Sequence, residues 1–219
     1  MKKNTLIYAL LTFSAVFMAQ SPGYCGYNRI IEDVIDIHVA QRELIAIKNG
    51  ETLSKLTLKL NENILWRGSR GYVGAVLTSE RLLAVTKTSN GWMELPLRLG
   101  ERKNEEAPEV RLSGRLILVT TGKRIIALDS RSNQWTTADI GLHDHIEKAV
   151  IDTHVGVVVT TGRAYGIARD VPALIEEPLK ENETVLSVDT SPYSVTIRTT
   201  RRLLIFKSTG ANWREIDTD

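Results

Sequence analysis

The chain has 219 residues, with 28 Lys and Arg against 26 Asp and Glu and a formal net charge of +2. That balance gives no bulk electrostatic argument for a nucleic-acid or membrane-surface partner. A single cysteine, Cys25, excludes an internal disulfide, so the fold must rest on core packing, which a chain of this size can supply.

In chain order, the first segment reads as a targeting signal. Lys2 and Lys3 precede the uncharged run Leu6–Ala19. The run is shorter than the ~20 residues that span a bilayer but suits the apolar core of a secretory signal. Ser21 and Gly23 are small residues where a signal peptidase inspects the chain, so cleavage is expected after Gly23. Residues 1–23 are then a signal peptide and residues 24–219 one exported domain, periplasmic or extracellular. Tyr24 precedes Cys25 where a lipid-anchored cysteine wants a small residue, so lipid anchoring is not expected. No other run is long enough to cross a membrane.

The rest of the chain repeats itself. RLLAVTKTSNGW (Arg81–Trp92), RIIALDSRSNQW (Arg124–Trp135) and RLLIFKSTGANW (Arg202–Trp213) share an arginine, an apolar run, a turn-like cluster and a tryptophan. Aligning on Ala40, Thr78, Thr121, Thr161 and Thr199 gives five units of about forty residues, at about 27–60, 61–99, 100–140, 141–179 and 180–219. Their apolar runs, such as Leu116–Val119 and Val155–Val159, are short, rich in Val and Ile, and bounded by turn residues. Strands covered on both faces read this way. Lys48–Glu51, Thr88–Gly91 and Ser208–Ala211 carry hairpin-turn chemistry. Each unit thus predicts four antiparallel strands, as in Thr184–Thr190, Ser194–Thr200, Arg202–Ser208 and Asn212–Asp217.

A four-stranded sheet cannot cover both its faces alone, and radial stacking solves that. Over residues 27–219 the chain resembles the β-propeller proteins. The resemblance implies an all-β, five-bladed β-propeller of four-stranded antiparallel blades. The WD dipeptide, kelch glycines and sialidase-type aspartate boxes are absent, so no named propeller family is indicated. The first unit opens with its first strand and the last closes with its fourth. Ring closure then rests on packing between the end units, with an open ring or a paired assembly as the alternatives.

Three repeated features are candidate site residues. Trp92, Trp135 and Trp213 open the fourth strand of units two, three and five, with Ile175 there in unit four. As in other propellers, they are expected to pack between blades. Arg42, Arg81, Arg124, Arg163 and Arg202 stand at the turn from second to third strand, where a ring of them could bind an anion or an acidic partner. Glu62, Glu101, Asp144 and Glu181, in the linkers between units, bring an acid near a base at each of the four junctions, on the same face. A feature written once per unit is better explained by the unit, so these are expected to be structural pairs.

Departures from the pattern carry less. The linker Gly100–Glu109 is the longest and is expected to project, and Pro172 replaces the usual turn chemistry of unit four. His143 and His145 flank Asp144, but His154 is expected ~30 Å away at the far end of a strand, so no zinc site is expected. Asp33, Asp152 and Asp189 form no visible carboxylate pair of the glycosidase kind. Trp66 could stack on a sugar or fill the channel wall, and Cys25 has no evident histidine partner. No catalytic residue, metal ligand or cofactor is assigned. The sequence therefore reads as an exported, non-enzymatic binding or scaffold module for a protein partner. A carbohydrate-binding or glycoside-active propeller is the alternative.

Overall fold

The structure is a computed structural model describing residues 33–97 and 107–218. These residues fall within one compact unit, Ile31–Asp219. The signal segment, Cys25 and the expected first strand of unit one lie outside the described residues.

Every described element is a strand. The first sheet is Ile35–Ala40 (β1), Glu43–Lys48 (β2) and Glu51–Thr57 (β3); the second is Ile64–Arg70 (β4), Val73–Thr78 (β5), Arg81–Thr86 (β6) and Met93–Pro96 (β7). Glu109–Leu112 (β8), Leu116–Thr120 (β9), Arg124–Asp129 (β10) and Thr136–Asp139 (β11) form the third. Ile146–Ile151 (β12), Val155–Thr160 (β13), Arg163–Ala168 (β14) and Leu174–Pro178 (β15) form the fourth. The fifth is Val185–Ser191 (β16), Ser194–Thr199 (β17), Arg202–Lys207 (β18) and Asn212–Asp217 (β19). All are antiparallel meanders in chain order. Four sheets have four strands; the first has three described strands, which match the second, third and fourth of the others.

Apolar stacking joins the sheets in sequence. Ile35, Leu44 and Val85 belong to a cluster between sheets one and two, and Val73, Ile117 and Leu128 to one between two and three. Leu118, Ile125 and Tyr165 join three to four; Val157, Ile197 and Phe206 join four to five. Among the described residues no such cluster joins the fifth sheet to the first. Burial follows this order. The central strands β5, β6, β9 and β13 are buried along their whole length, whereas β2, β17 and β18 bury only alternate residues.

Glycines set the closeness of this stacking. A Cβ on Gly166 of β14 would meet the Phe206 ring of the next sheet at 2.5 Å, and one on Gly74 would meet Ile37 at 2.8 Å. On the first strand of sheets two, four and five, a bulge falls at Leu65, Glu147 and Leu186, turning one extra side chain outward near the inter-sheet linker.

Candidate functional site

The inter-sheet linkers build a recurring notch. In Leu58-Lys59-Leu60-Asn61-Glu62, Asn61 takes a left-handed φ of 65°, a conformation that asparagine tolerates. Glu62 N–H then donates to the Lys59 carbonyl (3.1 Å), and the Glu62 carboxylate folds back to accept the Lys59 N–H (2.8 Å). The same carboxylate accepts the Thr78 hydroxyl at 2.7 Å, and from Arg81 it accepts Nε at 2.8 Å and Nη2 at 2.9 Å. The Glu62 side chain is fully buried and Arg81 nearly so. Burial alone would raise the Glu62 pKa, but bonds from Arg81, Thr78 and Lys59 outweigh it and hold the carboxyl at about 2.

The last sheet repeats this geometry. Asn182 has φ 57°, Glu183 accepts Lys180 N–H at 2.6 Å and Thr199 hydroxyl at 2.7 Å, and Arg202 donates Nε at 2.9 Å and Nη2 at 3.1 Å. Here too burial is outweighed, and Glu183 is held at about 2. Arg202 also reaches Glu177 and Glu215 and donates to the Pro178 carbonyl at 2.7 Å.

The residues expected from sequence therefore distribute unevenly. Arg81 and Glu62 meet. Arg202 meets Glu183 rather than Glu181, because the linker motif aligns two residues later and Glu181 falls at the exposed position of Leu60. Arg163 and Asp144 do not bond: aspartate is one methylene shorter, and its carboxylate accepts the Thr161 hydroxyl at 3.3 Å while Arg163 turns outward to Glu176 at 2.9 Å. Thr160, not Thr161, bonds the Arg163 carbonyl as Thr78 bonds that of Arg81, so the unit-four alignment shifts by one. By that register the first-sheet equivalent of Arg81 is Glu43; Arg42 stands one place earlier in the turn and donates to the Leu58 carbonyl at 3.0 Å. Arg124 is half-buried, and its expected partner Glu101 lies outside the described residues.

Trp92, Trp135 and Trp213 pack against the clusters joining their own sheet to the one before. Trp213 Nε1 also donates to the Ile175 carbonyl of the preceding sheet at 2.9 Å. Cross-strand register gives the matching position in sheet four to Leu174, opposite Ile167, as Trp213 stands opposite Phe206; Ile175 lies one place on. Trp66 packs against the cluster between sheets two and three.

The carboxylates weighed for catalysis each accept a hydrogen bond, two of them from near neighbours and Asp33 from the second sheet. Asp33 accepts the Gly71 N–H at 2.6 Å, Asp152 the Thr153 N–H, and Asp189 the Ser187 hydroxyl at 3.1 Å. His143 and His145 are exposed in the linker after β11, while His154 is buried at the opposite end of sheet four and stacks on Tyr193 at 4.6 Å. Among the described residues no cluster of three or more His, Cys, Asp or Glu is placed to hold a metal ion. On the linker face a cleft of about 790 Å³ separates β8 from β12, lined by Glu109, Arg111, Lys123, Asp144, His145 and Lys148 among others. The same face carries apolar side chains in water, which sequence reasoning had not singled out: Leu60 and Leu142 at matching linker positions, Leu65 and Leu186 at matching bulges.

Antiparallel sheets stacked in chain order define a β-propeller repeat architecture. No family model and no curated protein matches the chain. Among solved structures it is similar to BamB from Moraxella catarrhalis, at 16% identity, TM-score 0.37, and coverage of 84% of this chain and 61% of that one. It is also similar to Hsv2p from Kluyveromyces lactis, at 8% identity, TM-score 0.39, and coverage of 81% and 59%. The WD40 domain of SCAP from fission yeast matches at 9% identity, TM-score 0.34, and coverage of 85% and 56%. The chain thus spans about three fifths of each. Among the described residues no helix is long and apolar enough to cross a membrane.

Proposed function

We propose that this chain is an exported, non-enzymatic propeller module that holds a protein partner on its linker face. The observation that carries the reading is the set of leucines there: Leu60, Leu65, Leu142 and Leu186 are 74%, 56%, 79% and 58% exposed. Large apolar side chains kept in water at matching positions of several units offer a partner apolar surface to cover, and a protein supplies the complementary apolar groups whereas a glycan is met mainly by aromatic and polar ones. The notch beneath Leu60 supports this use, since the buried Glu62–Arg81 pair fixes the linker that carries it, and the Glu183–Arg202 pair fixes the linker that leads into the strand of Leu186.

The test is a cross-linked pull-down from native extract with the wild-type protein and with Leu60→Asp/Leu142→Asp. A protein retained by the wild type and lost by the variant supports the reading. No retained protein, together with array binding to a glycan that survives the substitutions, overturns it in favour of a lectin. Export rests on Lys2, Lys3 and the apolar run Leu6–Ala19. Amino-terminal sequencing of the protein from an envelope or secreted fraction should begin at Tyr24; an intact Met1 in the cytosol would refute export.

A further inference from the structure

On the linker face Arg81, Arg163 and Arg202 are taken up in ion pairs and Arg42 bonds a carbonyl. At the other end of the sheets lie further cations that no described carboxylate reaches. There, the residue just before the second strand is pinned by backbone bonds on both sides. Tyr72 N–H donates to the Gly114 carbonyl of the next sheet at 2.9 Å, and its own carbonyl accepts Lys87 N–H at 2.9 Å. The Arg115 carbonyl likewise accepts Ser130 N–H at 2.8 Å. Lys87 Nζ and Arg115 Cζ stand 4.7 and 4.9 Å from the centre of the Tyr72 ring. Such contacts orient cations while leaving their charge unneutralised.

Around this ring lies a cavity of about 190 Å³ between sheets two and three, lined by Tyr72, Lys87, Thr88, Arg115, Ser130 and Arg131. The lining holds three cations and no carboxylate. Arg115, which lines the cavity, also has its Nε buried without an acceptor, and a buried donor so left costs stability unless a ligand or water takes it. Among the described residues no carboxylate reaches Lys87 or Arg115; Arg131 pairs with Asp170 at 3.1 Å, and Asp170 is shared with Arg169 at 2.8 Å.

We propose that this cavity binds a phosphoryl group. A doubly charged oxyanion matches the two unpaired cations, presents acceptors to the Arg115 guanidinium and to the exposed Lys87 and Arg131, and is small enough for the space. The site is on the opposite face from the leucines, so either assignment can fail without the other.

The test is calorimetric titration of the full chain with inorganic phosphate and with glycerol 3-phosphate, in chloride of matched ionic strength. Saturable binding is expected, weakened about tenfold by Lys87→Gln and again by Arg131→Gln, substitutions on exposed side chains that leave the core intact. Arg115→Lys keeps the charge but removes Nε and should also weaken binding. Preference for the free ion or the monoester tells which source the cavity takes. Heat no greater than in chloride, or affinity unchanged in all three variants, would overturn the proposal.

Discussion

Replacing Glu62 by Gln keeps the shape of the first notch and removes its charge. The Glu62 carboxyl titrates at about 2 in the fold against an ordinary 4.5, a difference worth about 3 kcal/mol of folding stability at neutral pH. Removing one member of a buried pair costs about 3–5 kcal/mol in other proteins, since the remaining charge stays buried. Arg81 keeps Glu94, which is half in water, so the lower end of that range is expected. With a urea slope of about 2 kcal/mol/M, the unfolding midpoint should fall by about 1.5 M. Arg163→Gln is the internal control, because Arg163 and its partner Glu176 are both exposed, and its midpoint should not move. The pH dependence provides a second reading. A carboxyl whose folded pKa lies below its unfolded value stabilises fully above about 4.5 and loses that contribution as pH falls towards 2. Glu62→Gln should therefore flatten the acid limb of stability between those values. Equal midpoint shifts for Glu62→Gln and Arg163→Gln, or an unchanged acid limb, would refute the notch as a source of stability.

Gly166→Ala puts a methyl into the Phe206 ring, which approaches to 2.5 Å; about 3 kcal/mol should be lost in urea unfolding, and a change under about 0.5 kcal/mol would show that the sheets are less closely stacked. Trp213→Phe strands the Ile175 carbonyl and should cost about 1–2 kcal/mol more than Trp135→Phe, whose indole N–H has no partner to lose; thermal melting of the two variants compares them. His154 titrates below its usual 6.5 because burial, then Arg169 and Arg115, disfavour its charge. The unfolded chain therefore binds the proton first, and stability should drop as pH falls through 6.5. His154→Gln should remove that slope, and an identical profile would refute it.

Short Val- and Ile-rich runs between turn residues made the strands legible, and the forty-residue repeat made their stacking legible. Alignment of the site was harder. The pattern around Thr78 and Arg81 recurs at Thr199 and Arg202, so those positions could be matched, but EPLKEN and LKLNEN align by eye on Glu181. The physical marker is the residue before the acid: Asn61 and Asn182 both take the left-handed turn that swings the next carboxylate inward. Had the asparagine been used as the anchor, Glu183 would have been found. Asp144 shows the other limit. Its place in the repeat was readable, but reaching Arg163 depends on one methylene that a charge pattern does not register. The cationic cavity was hidden for a different reason: Tyr72, Lys87, Arg115 and Arg131 are scattered in sequence, and only the stacking of two sheets brings them together.

The end sheets show how the same repeat is tuned by position. A sheet stacked on both sides has central strands buried at every residue, as VGAVLT and VGVVVT are in β5 and β13. A sheet stacked on one side needs apolar residues only at every second place, as in SVTIRT of β17, where Val195 and Ile197 are buried and Arg198 is exposed. The alternation in β1, β2, β17 and β18 is therefore a statement by the sequence itself that these sheets have one solvated face. It agrees with the lack, among the described residues, of an apolar cluster between the fifth sheet and the first. Sheet five bears Arg198 and Arg214 on or beside that face together with Leu203 and Ile205, which are half-buried. That face mixes charge with partly exposed apolar side chains, among them Ile216, which stands opposite Leu203 and is 46% exposed.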